Sequence, residues 1–221
     1  MTSSDHHARA TRGKDDMLDS PLSRIAGLMA LAAGVLIVVA QLVMLPFDPD
    51  DHVATSTDPV FQTGGVIYLI GFIALILALI GAYGWGLHKA GKLGVIAFVT
   101  AIVGTMMLGG DLWFETFAIP WLADEAPASL DTDPTTLLAI GAISSYLSFA
   151  LGWALFGFAN FRARVFPTAI CVAIVIGGVI GFQSLLSPFG IPLGLAVVWL
   201  GAWMLRTTTA ASETSQPAPQ V

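Results

Sequence analysis

Charge is what this chain has least of. Only 11% of its 221 residues are Asp, Glu, Lys or Arg, against roughly 25% in a soluble globular domain. The shortage is not uniform: long blocks hold no charge at all, and the charges collect between them. A soluble core with a solvated surface does not read this way. Cysteine is nearly absent too. Cys171 stands alone in an apolar block, which excludes an intrachain disulfide and a cysteine metal cluster. It reads as a small core residue.

Other absences narrow the function. There is no HExxH, no GxSxG elbow, no P-loop and no CxxCH haem site. No arginine-rich voltage-sensing helix or selectivity-filter sequence occurs. No charged residue lies near the middle of any apolar block, where proton- and ion-coupled carriers usually need one. These absences point away from an enzyme, a resident cofactor, a nucleic-acid partner and active transport.

What is present is hydrocarbon-length apolar sequence. A membrane helix needs about 20 mostly apolar residues to cross a core of about 30 Å. The expected fold is all-α: a polytopic bundle of six transmembrane helices, with spans at about 21–47, 61–87, 93–119, 135–161, 166–186 and 191–205. The expected domain layout is a polar tail over 1–22, a membrane domain over 23–206 and a second polar tail over 207–221, both tails disordered and cytoplasmic. The first apolar run exceeds the 7–15 residues of a signal-peptide core, so it reads as an uncleaved anchor.

Charge sign tests the span count. The nine basic residues are Arg9, Arg12, Lys14, Arg24, Lys89, Lys92, Arg162, Arg164 and Arg206. All fall on one side of a six-span chain. The other side holds ten of the fifteen acids: Asp48, Asp50, Asp51, Asp58, Asp111, Glu115, Asp124, Glu125, Asp131 and Asp133. A miscounted span would scatter the positive charges over both faces. Lysine and arginine gather in cytoplasmic loops, so both termini are expected in the cytoplasm and the protein in the plasma membrane, with the lipid bilayer as its first partner. Gly177 and Gly181 make a small-xxx-small pair, and other glycines recur along the spans. Tight packing within the chain is the main expectation from these, with a homo-oligomer or a membrane partner protein as the lesser one.

The stretch GGDLWFETFAIPWLADEAP, residues 109–127, raises the question of a site. Asp111 and Glu115 share a helix face. Asp111 lies nineteen residues beyond Lys92, about 28 Å at 1.5 Å per residue, which is nearly the whole hydrocarbon depth. Trp113, Phe117 and Trp121 form a stripe, and Asp111, Glu115 and Thr116 lie off it. The leading expectation is that the acids mark the outer membrane boundary, on an amphipathic helix end stopped or kinked by Pro120. The alternative is a cation site. Two carboxylates with a third ligand can hold a hard metal ion, and the loop DPDDH offers Asp48, Asp50, Asp51 and His52. The metal candidates are therefore Asp111, Glu115, Asp48, Asp50, Asp51 and His52, provided that the two outer loops meet.

Other intramembrane polar residues are few: Gln41, Gln183, Asn160 and the triplet Ser144, Ser145 and Ser148. Such groups usually hydrogen-bond between helices.

The segments GAYGWGLHKAGKLGVIAFVTAIVGT and ETFAIPWLADEAP resemble those of a loosely defined group of small bacterial, actinobacterial-type integral membrane proteins, over about residues 24–206. That group has no assigned activity, so the resemblance implies a membrane bundle and transfers no functional residue. The expected function is a non-catalytic accessory, sensory or structural membrane module with an acidic outer face. A small transporter or channel for an uncharged or cationic solute is the second reading, with a polar path from the serine triplet and Tyr146 toward Asp111. A lipid-modifying enzyme using Asp111 and Glu115 is the third, disfavoured because every arginine lies on the opposite face. A water-sized cavity reaching the bundle's middle would favour transport, and a solid centre would argue against it.

Overall fold

A computed structural model describes residues 21–47, 52–130, 132 and 134–214. These are 88% helical with no strand among them, so the fold is all-α. The helices are α1 (Pro21–Met44), α2 (His52–Thr57), α3 (Pro59–Trp85), α4 (Gly91–Trp113), α5 (Ile119–Glu125), α6 (Thr136–Ala163), α7 (Thr168–Ile180) and α8 (Ile191–Thr214). Five helical stretches are long and apolar enough to cross a membrane: those of α1, α3, α4 with α5, α6, and α8. The fifth expected span is shorter. The apolar helix there covers Thr168–Gln183, ending in a 3-10 turn at Gly181–Gln183. The last helix runs to Thr214, into the segment expected as a polar tail. Residues 1–20 and 215–221 of the two tails lie outside the described residues.

The six long helices form a closed ring in the order α1, α3, α4, α6, α7, α8. Glycine lets them approach. A Cβ on Gly104 of α4 would run into the backbone at Ser148 and Phe149 of α6, and one on Gly152 of α6 into the backbone of Ala101. α1 and α8 are joined in the same way, Gly34 against Gly194 and Val198, and Gly201 against Leu31. Gly177 meets Leu193 and Gly181 meets Phe149, so this small-residue pair packs within the chain. Lipid tails are as apolar as leucine, so close backbone packing supplies the attraction that hydrophobic burial supplies in water.

Large side chains are sorted accordingly. On α3, Tyr68, Phe72, Leu75 and Leu79 are buried, while Ile70, Ile73, Leu77 and Ile80 are exposed. Aromatic rings fill the axis of the ring. Phe72 stacks on Phe149 across the bundle at 5.6 Å. Tyr68 meets Phe72, Phe149 meets Trp153, Trp153 meets Phe156, and Phe166 bridges Phe156 to Trp203. Trp153 is 1% exposed and donates its indole N–H to Thr105 Oγ1 at 3.1 Å. The hydroxyls of Ser144 and Ser145 donate back to the Ile140 and Gly141 carbonyls of their own helix.

The two ends of the bundle differ in charge. Arg24, Lys89, Lys92, Arg162, Arg164 and Arg206 lie at one end. There Trp85 meets Trp203, and Gly86 lies by Val165. Asp58, Glu115, Asp124 and Glu125 lie toward the other end. Gly91, at φ 62°, turns the chain from α3 into α4, a conformation glycine adopts without strain.

Between α7 and α8 an irregular segment is held by polar side chains. Gln41 Nε2 and Tyr68 OH both donate to the Ser184 carbonyl, at 2.8 and 2.7 Å. Gly190 N–H donates to Gln41 Oε1 at 3.1 Å, and Ser187 Oγ donates to the Gln41 carbonyl at 2.6 Å. Non-helical backbone at membrane depth persists only where protein satisfies it. Gln41→Leu would strand the Gly190 N–H and is expected to cost about 1–3 kcal/mol. Tyr68→Phe leaves Gln41 on Ser184 and is expected to cost about 1 kcal/mol. Unfolding midpoints in detergent check both, and equal losses would contradict the assignment of Gln41 as the principal holder.

Candidate binding cavity

The third span does not stop at its proline. Pro120 lacks an N–H, and in a regular helix its ring would collide with the Thr116 carbonyl. A π-helical turn, Phe114–Ala118, precedes it, with the Ile119 N–H reaching back to the Phe114 carbonyl. The wide turn accommodates the ring, and the helix continues as α5 to Glu125. This corrects the expectation of a stop at Pro120.

The turn also settles which way the acids face. The aromatic stripe points outward: Trp113, Phe117 and Trp121 are exposed, Trp121 by 62%. Thr116 is buried, donates its hydroxyl to the Leu112 carbonyl at 2.7 Å, and seats against Gly65 of α3, where a Cβ would lie 2.5 Å from its Oγ1. Glu115 lines a cavity. π turns of this kind are frequent at functional sites.

The cavity has a volume of about 150 Å³ and sits near the Glu115 end of the ring. Met44 and Phe47 come from the end of α1, Thr55 from α2, Phe61 from α3, and Leu112, Glu115 and Thr116 from the third span. Tyr146 comes from α6, and Leu185, Leu186 and Ser187 from the segment after α7. Several devices fix these walls. Asp58 caps α3, accepting from Val60 N at 2.7 Å and Phe61 N at 3.3 Å. Phe61 then meets Phe47 edge to face at 5.4 Å. Ser187 is tied to Gln41. Tyr146 packs on Phe182 at 6.0 Å and lies near Asp111 and Glu115.

Asp111 lies one turn deeper than Glu115 and faces Ser145. Its Oδ2 is buried without a hydrogen-bond partner. The structure thus brings together Asp111, Glu115, Ser145 and Tyr146, which the sequence placed on two separate spans. The loop between α1 and α3 does fold over the third span, since α2 packs on α5. Among the described residues, no three His, Cys, Asp or Glu side chains gather to hold a metal ion. Of the metal candidates, Asp48, Asp50 and Asp51 lie outside the described residues, as does the side chain of His52.

Gln41, Phe47, Phe61 and Ser187 were not expected at a site. A lone glutamine in an apolar span was the one available signal, since it must find a partner. The aromatic and aliphatic walls gave none, because in a membrane protein an apolar residue faces lipid or core with equal ease. No protein-family model, curated protein or solved structure matches this chain.

Proposed function

We propose that this is a non-catalytic, sensory or accessory module of the plasma membrane. It crosses six times, keeps both termini in the cytoplasm, and binds a small molecule in a cavity at its acidic, extracytoplasmic end. The observation that carries the binding reading is the cavity itself: walled by six elements, furnished with a few polar groups, and underlain by an axis packed with aromatic rings. Binding sites are concave, mostly apolar and supplied with few polar groups in this way. The filled axis tells against the transporter reading, which needs a path to the middle.

Three observations support the sixth crossing. α7 runs antiparallel to α6, Gly157 lying by Cys171 and Val175, and Gly181 by Phe149. Its sixteen residues to Gln183 cover about 24 Å. The segment after it reaches the level of Gln41, near the end of α1, where Gln41 and Tyr68 satisfy its backbone. The positive charges at the opposite end favour a cytoplasmic basic face set against anionic headgroups.

The test is a screen of benzene-sized compounds by thermal unfolding in detergent, comparing wild type with Leu185→Phe, which fills the cavity. The expected result is a saturable shift for at least one compound in wild type that Leu185→Phe loses. If no compound distinguishes the two proteins, the binding reading fails. If liposomes carrying the protein take up the bound compound faster than empty ones, the protein is a transporter instead.

A further inference from the structure

The cavity's chemistry narrows what it accepts. This inference rests on the cavity being a ligand site and names the class of ligand. Size comes first. A cavity of about 150 Å³ is the size of engineered cavities that take a benzene ring. A bare metal ion leaves most of the space unfilled. A hard cation also wants six or more oxygen ligands, whereas Met44, Phe47, Phe61, Leu112, Leu185 and Leu186 make the larger part of this wall.

Charge comes second. The carboxylate lining the cavity is Glu115, with Asp111 one turn deeper and its Oδ2 buried without a hydrogen-bond partner. The lysines and arginines among the described residues stand at the far end of the bundle. An anion entering here would meet the Glu115 carboxylate, with Asp111 one turn behind it. A cation would gain from both, and from ring faces: cations are attracted to aromatic faces within about 6 Å, and Phe47, Phe61 and Tyr146 line the cavity. The Tyr146 and Ser187 hydroxyls supply further oxygen acceptors for N–H donors.

We propose that the cavity takes a small organic cation, an ammonium on a benzene-sized apolar body. The nitrogen sits at Glu115, on the side nearest Tyr146 and Asp111. The apolar body lies between Phe47, Phe61 and Leu112.

Benzylammonium, benzyl alcohol and benzoate share one shape and differ in charge, so they serve as probes. Binding is followed by thermal shift in a neutral maltoside detergent, for wild type and Glu115→Gln, with calcium chloride as a separate arm. In wild type, benzylammonium is expected to bind at least tenfold more tightly than benzyl alcohol, and benzoate more weakly than either. In Glu115→Gln the ammonium and the alcohol are expected to converge, and retained alcohol binding shows that the variant still holds its cavity. The proposal is overturned if the alcohol binds as tightly as the ammonium in wild type, if the ammonium preference survives Glu115→Gln, or if calcium alone gives the Glu115-dependent shift. Should neutral compounds alone bind and Leu185→Phe abolish them, the cavity is a ligand site without charge selection. Should nothing bind, both readings fail together.

Discussion

Gly104→Leu and Gly152→Leu are each expected to destabilise the bundle by about 3 kcal/mol or more, at or beyond the top of the usual overpacking range. The reason is the nature of the neighbour. At both positions an added Cβ meets main chain, Ser148–Phe149 in one case and Thr100–Ala101 in the other. A side chain can rotate away, but backbone moves only if the two helices part. Parting α4 from α6 would also break the Trp153–Thr105 hydrogen bond. Gly141 provides the control, since nothing lies within 4 Å of its added Cβ. Gly141→Ala is expected to stabilise α6 by up to about 1 kcal/mol through helix propensity alone. Unfolding in mixed detergent micelles, read by helix signal, measures all three. Similar losses at Gly104 and Gly141 would mean that the glycines act through propensity and not through contact.

Trp153→Ala is expected to cost about 3–5 kcal/mol, the range for removing a large aromatic from a packed interior. Trp153 lies at the centre of the ring, touching Phe149 and Phe156 and backing the glycine contact at Gly178. Its substitution opens a void at a site only 1% exposed. Trp153→Phe keeps most of the packing and gives up the hydrogen bond to Thr105, an expected loss of about 1 kcal/mol from that bond beside a smaller packing term. A neutral Trp153→Ala would show that the axis is not packed, and would reopen the transport reading.

The sequence made some of this plain. Apolar run length predicted the helices, and their observed limits fall within a few residues for α1, α3 and α6. The fifth span shows what run length leaves out. Residues 166–186 read as one apolar stretch, yet the helix ends after Gln183, because Ser184, Ser187 and Gly190 exchange hydrogen bonds with Gln41 and Tyr68. Those partners lie more than a hundred residues away, and no local pattern announces them. Asp111 and Glu115 were visible as an unusual pair, and their depth was measurable from Lys92. The aromatic stripe set them on another face, but what that face meets, Ser145 and Tyr146 of α6, was not legible, because it depends on how distant helices pack. The cavity was the least legible feature. It needs α1, α2, α3, the third span, α6 and the post-α7 segment to converge, and its apolar walls are indistinguishable in sequence from exposed residues such as Ile70 or Leu147.

Everything proposed for the cavity depends on which way the protein sits and how often it crosses. The single native cysteine, Cys171, is buried, so introduced cysteines can be read without background. The decisive measurement is labelling of Ser129→Cys, Ser3→Cys and Ser212→Cys by a membrane-impermeant maleimide, on intact and on permeabilised cells. Six crossings with a cytoplasmic basic face predict that Ser129→Cys reacts on intact cells, and that the two terminal cysteines react only after permeabilisation. Reaction of Ser212→Cys on intact cells, with Ser3→Cys protected, would mean five crossings and would contradict the account. Protection of Ser129→Cys with both termini exposed would turn the cavity toward the cytoplasm.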